Sequence, residues 1–276
     1  MIFRNILFHA FELLSLNLAV AGAQSSESTS LGIASVPKKI LYNGYEPLDI
    51  WGPLELFSSM SRYKNIKLSV ISHEIGLVTS KSPPFEADPN TPPPLGLLRF
   101  GPQVLATHSF ENAPPLDILV VPGGIGNRIL EQQNNTAMED FIAARYPQLR
   151  YLLSVCTGAK ILARAGVLEG RRATSSKAVW DSVITNGKNV TWVPDARWVV
   201  DDNIWTSSGV TAGIDMVYAF LQHYYSDDRA SVQEMLNIIE YAPHQDPHWD
   251  PFSIVHNVPG VDKNRSLVDC VSPAGF

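Results

Sequence analysis

Cysteine is almost missing from this chain. Two occur among 276 residues, Cys156 and Cys270, far apart in sequence. That scarcity excludes a small scaffold built on disulfides, which needs several bridges in place of a core. A basic excess is missing too. Lys and Arg number 21 against 27 Asp and Glu, a net charge of -6. No basic face is therefore available for nucleic acid or an anionic membrane. Charged residues make up only 17% and hydrophobic ones 45%, which excludes disorder and supplies a core for one large domain. Past the N-terminal segment, no apolar run reaches the roughly 20 residues of a membrane span. Nucleotide signatures are lacking as well: Gly123-Gly124-Ile125-Gly126 fits neither the dinucleotide nor the P-loop glycine pattern. There is no internal repeat.

What is present begins with a leader. Arg4 is a short basic region, residues 6–20 are an apolar run interrupted by His9 and Glu12, and Ala21-Gly22-Ala23 is a small-residue cleavage site. Residues 1–23 therefore read as a signal peptide, with an N-terminal anchor as the alternative. Residues 24–38, rich in Ser and Gly, read as a flexible leader. Three sequons, at Asn134, Asn189 and Asn264, agree with a secreted or endomembrane-lumen protein, with no membrane contact after signal cleavage.

Residues 39–225 read as one α/β domain. Apolar runs at 39–42, 116–121 and 149–155 and an alternating run at 66–72 read as strands. Segments at 49–60, 135–144, 158–165 and 214–225 read as helices. A hairpin is expected around Asp201-Asp202. The prolines of 81–100 forbid a central strand or helix interior there. Strands that are apolar on both faces and alternate with helices predict a parallel sheet sandwiched by helices. Residues 226–276 read as a further helix and a tail packed on the domain. Its His244, Asp246, His248 and Asp250 are separated by prolines, which favours a docked loop over a metal site.

Chemistry concentrates at strand ends, where sites form in such sheets. Cys156 stands between the run ending at Val155 and the helix opening at Gly158, the layout of a nucleophile elbow. A helix N-terminus there is expected to lower the thiol pKa. Local pattern alone leaves two readings, a nucleophile or an inert core cysteine. Pro122-Gly123-Gly124 closes a neighbouring strand, where glycine amides can form an oxyanion pocket or simply a turn.

The segments VVPGG at 120–124, SVCTGAKILARAGVLEGRRAT at 154–174 and IWTSSGVTAGID at 204–215 resemble the ThiJ/PfpI superfamily. YNGYEPLDIWGPLELF at 42–57 resembles its isocyanide hydratase branch. The resemblance implies a flavodoxin-like, class I glutamine amidotransferase-like sandwich. It places the nucleophile at Cys156 and the acid that contacts its sulfur at Asp49, which local pattern alone reads as a helix N-cap. It places the oxyanion donors at the amides of Gly124 and Thr157, and lets the Thr157 hydroxyl touch substrate. Thr211 and Asp215 fall in a structural motif. A histidine that many bacterial relatives carry after the R-R-A-T segment is replaced by Ser175-Ser176-Lys177, with Lys177 expected at the surface. The implied function is a cofactor-free, cysteine-dependent lyase that adds water to an isocyanide to give an N-substituted formamide. The partner is a small electrophilic substrate, and the expected assembly is a homodimer. Two alternatives stand beside it: a glyoxalase-like hydro-lyase acting on 2-oxoaldehydes, and a secreted redox-responsive or binding protein, which a Cys156–Cys270 disulfide would favour.

Overall fold

The computed structural model describes residues 29–34, 44–82 and 99–265. The expected signal peptide, the expected strand at 39–42, most of the proline-rich stretch and Cys270 lie outside them. The strands are β1 (Thr29–Ala34), β2 (Ile66–Ser72), β3 (Gly76–Thr79), β4 (Gln103–Ala106), β5 (His108–Ser109), β6 (Ile118–Val121), β7 (Tyr151–Ser154), β8 (Arg172–Ala173), β9 (Thr191–Trp192), β10 (Trp198–Asp201) and β11 (Ile204–Ser207). The helices are α1 (Pro47–Met60), α2 (Gly126–Gln132), α3 (Ala137–Arg145), α4 (Gly158–Arg164), α5 (Trp180–Ile184), α6 (Val210–Tyr224), α7 (Arg229–Ile238) and α8 (Phe252–Val255).

Seven strands form the main sheet in the order β10-β11-β7-β6-β1-β2-β5. All neighbours are parallel except β10 and β11. That hairpin turns at Asp202, which takes φ +55°, a value that Asp tolerates better than most residues. The expected α/β sandwich is present. One difference falls in the stretch read as leader: Thr29–Ala34 is a strand, pairing with β2 on one side and β6 on the other. The Ser and Gly content of residues 24–38 reads locally as flexible, but this strand pairs along its whole length with β2 and at Leu31–Ile33 with β6, and pairing overrides composition.

The central strands carry the core. Ile118, Leu119, Val120 and Val121 of β6 are all buried, as are Leu152 and Leu153 of β7. A strand buried on both faces must be covered on both, which is why the run is continuous rather than alternating. On one face, α1 packs against α6 so closely that a side chain at Gly52 would overlap Ile214. This contact fixes α1 over the carboxyl ends of β6 and β7. No helix among the described residues is long and apolar enough to cross a membrane. The asparagines of the three sequons are all exposed.

Candidate active site

The turn after β7 is held from both sides. The Val155 amide donates to the Val121 carbonyl at 3.0 Å, and the Cys156 amide donates to the Ser208 carbonyl at 2.9 Å. Between these anchors Cys156 takes φ +57°. A residue with a Cβ adopts that conformation at a cost of roughly 1–3 kcal/mol, which persists only where the surroundings impose it. Gly158 makes the turn possible. A Cβ there would lie 2.3 Å from the Val121 carbonyl oxygen, so no other residue fits between α4 and β6. The strained turn lifts the Cys156 side chain off the end of the sheet, as the sequence pattern predicts. Its thiol is half-buried and has no disulfide partner among the described residues.

Asp49 reaches this turn from the first turn of α1. It is not the helix cap, a position held by Glu46. Asp49 is fully buried. Its Oδ2 accepts the Gly123 amide at 2.8 Å. Its Oδ1 is buried with no hydrogen-bond partner among the described residues. Burial raises the carboxyl well above the usual range; the Gly123 bond opposes this, and the neighbouring Glu46 charge adds to the rise. A buried carboxyl with one oxygen satisfied and the other unpaired is cheapest as a neutral acid with its proton on the unpaired oxygen.

The thiol moves opposite to the sequence expectation. Burial of the sulfur pushes it up, the Asp49 charge pushes it further, and hydrogen bonds from the Ser176 hydroxyl and the Thr157 amide oppose both. The helix end beside it is only seven residues long, and its dipole loses to desolvation. The contribution from Asp49 exists only while that carboxyl is ionised. Once Asp49 is neutral, the sulfur keeps its two donors and loses the repulsion. The charge state of Asp49 therefore bears directly on that of the thiol.

Thr157 divides the expected oxyanion donors. Its amide serves the sulfur. The Gly124 amide does not stand open; it donates to Thr157 Oγ1 at 3.0 Å. Asn127 Nδ2 donates to the same oxygen at 3.1 Å. A hydroxyl that accepts two bonds still has its own proton to give. The Gly124 amide is therefore committed to Thr157, and the Thr157 hydroxyl keeps its own proton to donate. Gly123 lies tightly among these groups: a Cβ there would sit 2.6 Å from Thr157 N and 3.0 Å from Asp49 Oδ2.

The stretch without histidine supplies three residues that sequence reasoning missed or misplaced. Ser175 Oγ donates to the Cys156 carbonyl at 2.8 Å, and Ser176 bonds the sulfur. Lys177, expected at the surface, is buried with 3% exposure. Its Nζ donates to Thr174 Oγ1 at 2.7 Å, to the Ala196 carbonyl at 2.8 Å and to the Ser175 carbonyl at 3.3 Å. Burial lowers its pKa to about 8, against the pull of Asp250 and Asp195. The ammonium pins the segment that carries both serines against the Cys156 turn. The only sequence signal was position: these serines stand where the family resemblance led one to look for a base. Asn127 carried no signal.

Asp215 and Thr211 are structural, as read. Asp215 Oδ2 accepts Arg197 Nε at 2.7 Å, and Oδ1 accepts the Tyr241 hydroxyl and, at 3.0 Å, the His244 amide. Thr211 Oγ1 accepts Arg197 Nη2 at 3.4 Å. In the docked tail, Asp246 pairs with Arg265 at 3.3 Å and Asp250 faces Arg197 at 3.9 Å.

The DJ-1/PfpI family profile matches residues 40–223. The chain belongs to the DJ-1/PfpI family. Within it, the chain is 33% identical over 205 residues to an isonitrile hydratase of Pseudomonas putida, covering 74% of this chain and 77% of the relative. It is 39% identical over 119 residues to a deglycase of Pyrococcus abyssi, covering 42% of this chain and 66% of the relative. A ThiJ/PfpI family protein from Pseudomonas syringae has the same fold, with a TM-score of 0.62, 25% identity and 86% of each chain covered. Drosophila melanogaster DJ-1beta shares the fold at a TM-score of 0.55 and 19% identity, over 78% of this chain and 99% of that one.

Proposed function

We propose that this member of the DJ-1/PfpI family is a cysteine-dependent isocyanide hydratase that needs no cofactor. The observation that carries the reading is Asp49: a fully buried carboxyl beside the nucleophile turn, anchored by one oxygen and unpaired at the other. An isocyanide has no leaving group. It needs a nucleophile at its terminal carbon and a proton on that same carbon, and a neutral buried acid beside a thiol supplies that pairing. No histidine base is required.

The sulfur of Cys156 attacks the terminal carbon of R–N≡C, forming a carbon–sulfur bond. Asp49 delivers its proton to that carbon, giving a thioimidate, Cys–S–CH=N–R. Water then adds to the same carbon; one of its protons returns to ionised Asp49 and the other passes to the imine nitrogen, leaving a tetrahedral oxyanion. The Thr157 hydroxyl stabilises the developing oxyanion. Collapse expels the Cys156 thiolate and gives HC(=O)–NH–R. The net reaction is R–NC plus water to N-substituted formamide. The Ser176 and Thr157 donors hold the thiolate on departure.

The test is formamide formation from a simple alkyl isocyanide by the purified chain, with Cys156→Ser beside it. Turnover that survives in Cys156→Ser removes the mechanism. A chain inactive on isocyanides that converts a 2-oxoaldehyde to the hydroxy acid instead belongs with the glyoxalase-like reading. We also propose that the protein is secreted, carries glycans at the exposed Asn134, Asn189 and Asn264, and acts as a homodimer. Endoglycosidase treatment and sedimentation of the secreted protein test these points.

A further inference from the structure

The family match ends at residue 223, but the chain beyond it is firmly attached. The Arg197 amide donates to the Pro247 carbonyl at 2.8 Å, and the Asp250 amide donates to the Asp195 carbonyl at 2.7 Å. Asp250 and Ser253 are buried, and Ser253 Oγ caps the Asp250 carbonyl at 2.6 Å. Trp249 is buried beneath the Arg265 guanidinium, 4.3 Å from its ring centroid. These contacts make residues 247–258 a strap, and the strap carries α8 to the start of α6.

A cavity of about 280 Å³ lies between them, near the small end of the roughly 300–1,000 Å³ range for ligand sites. Ser176, Ser208, Ala178 and Val210 line it from the domain, and Phe252 and His256 line it from the strap. Two of these touch the nucleophile. Ser176 bonds the Cys156 sulfur, and the Ser208 carbonyl accepts the Cys156 amide at 2.9 Å. The cavity therefore starts one side chain away from the reacting atom. Its charged neighbours are spoken for: Arg197 is paired with Asp215 and Asp250, and Lys177 spends its three donors on the loop. Ser176, Ser208 and Thr211 share the lining with Ala178, Val210 and Phe252, a mix that suits a small uncharged substituent.

We propose that this cavity receives the substituent attached to the electrophile, and that Phe252, with His256 four residues on, sets the largest group it admits. The inference rests on the reading of Cys156 as the nucleophile, and its test separates from that of the hydration reaction. The full chain is alkylated with N-methylmaleimide and with N-cyclohexylmaleimide, and the rate is read on the peptide that contains Cys156 by mass spectrometry. Phe252 is partly exposed, so its replacement leaves the fold intact. Phe252→Ala raises the cyclohexyl-to-methyl rate ratio about tenfold and Phe252→Trp lowers it by a similar factor, the order expected for small volume changes in a substrate pocket. His256→Ala moves the ratio in the same direction as Phe252→Ala. A ratio that stays within about twofold of the parent in both Phe252 variants overturns the proposal, as does a Cys156 that neither reagent reaches. If the ratio moves while no isocyanide is hydrated, the cavity assignment stands and the hydratase reading fails.

Discussion

Replacing Asp49 with asparagine separates the reaction from the fold in an unusual direction. Burial holds the Asp49 carboxyl well above its ordinary 3.8. A group whose folded pKa is raised stabilises the fold below its unfolded pKa and loses that contribution as pH climbs toward the folded value. Above 3.8 the unfolded carboxyl sheds its proton while the folded one keeps it, so folding must take up a proton. At pH 7 that uptake costs at most about 4 kcal/mol, at 1.36 kcal/mol per pH unit. Asparagine removes the cost. Its carbonyl oxygen can accept the Gly123 amide as Oδ2 does at 2.8 Å, and its amide can donate where the acid proton sits. Asp49→Asn is therefore expected to be more stable than the parent at pH 7 by up to about 4 kcal/mol, with the gap closing as pH falls from 7 toward 4. It should have lost nearly all isocyanide hydration, because an amide cannot deliver a proton to carbon. Urea unfolding of both proteins between pH 3 and 8, scored alongside formamide production, reads the two effects together. A stability difference that does not change with pH would mean Asp49 is ionised in the fold, and the neutral-acid argument would fail.

Other consequences are smaller in scope. Ser176→Ala removes a donor to the sulfur; a hydrogen bond to a charged group is worth about 1.5–3 kcal/mol. Turnover should fall about 10- to 100-fold and the pH profile of Cys156 alkylation should move upward, while an unshifted profile would show that the bond does not act on the thiolate. Lys177 has a folded pKa lowered from 10.5 to about 8, so its buried charge weighs against folding below pH 8, and that burden lifts between pH 8 and 10.5 as the unfolded chain binds the extra proton. Relative to Lys177→Met, the parent should gain about 3 kcal/mol across that window. A flat difference between the two unfolding curves refutes it. Gly158→Ala drives a Cβ toward the Val121 carbonyl and should cost about 1–3 kcal/mol in denaturant unfolding; a neutral substitution would mean the turn has slack.

Much of this site could be read before folding. The apolar run into Cys156 and the helix pattern from Gly158 specify a strand, a turn and a helix, and local rules suffice because all three are contiguous. The short motif at 120–124 marks a second strand end for the same reason. The limits are equally specific. The Ser- and Gly-rich composition of the leader gave no hint that Thr29–Ala34 within it is a strand with partners on both sides. The direction of the thiol shift went against the local rule, because desolvation depends on what covers the turn.

The sequence by itself determined the α/β alternation, the position of Cys156 at a strand-to-helix turn and the family to which the chain belongs. These depend on periodicity and on motifs only a few residues long. Tertiary structure alone decided that Asp49 is fully buried with one oxygen unpaired, that the Gly124 amide serves the Thr157 hydroxyl, that Lys177 is interior, and that the C-terminal strap walls a cavity next to Cys156. Each of these depends on groups far apart in the chain meeting away from water, and burial, which sets their charges, is a property of the assembled fold.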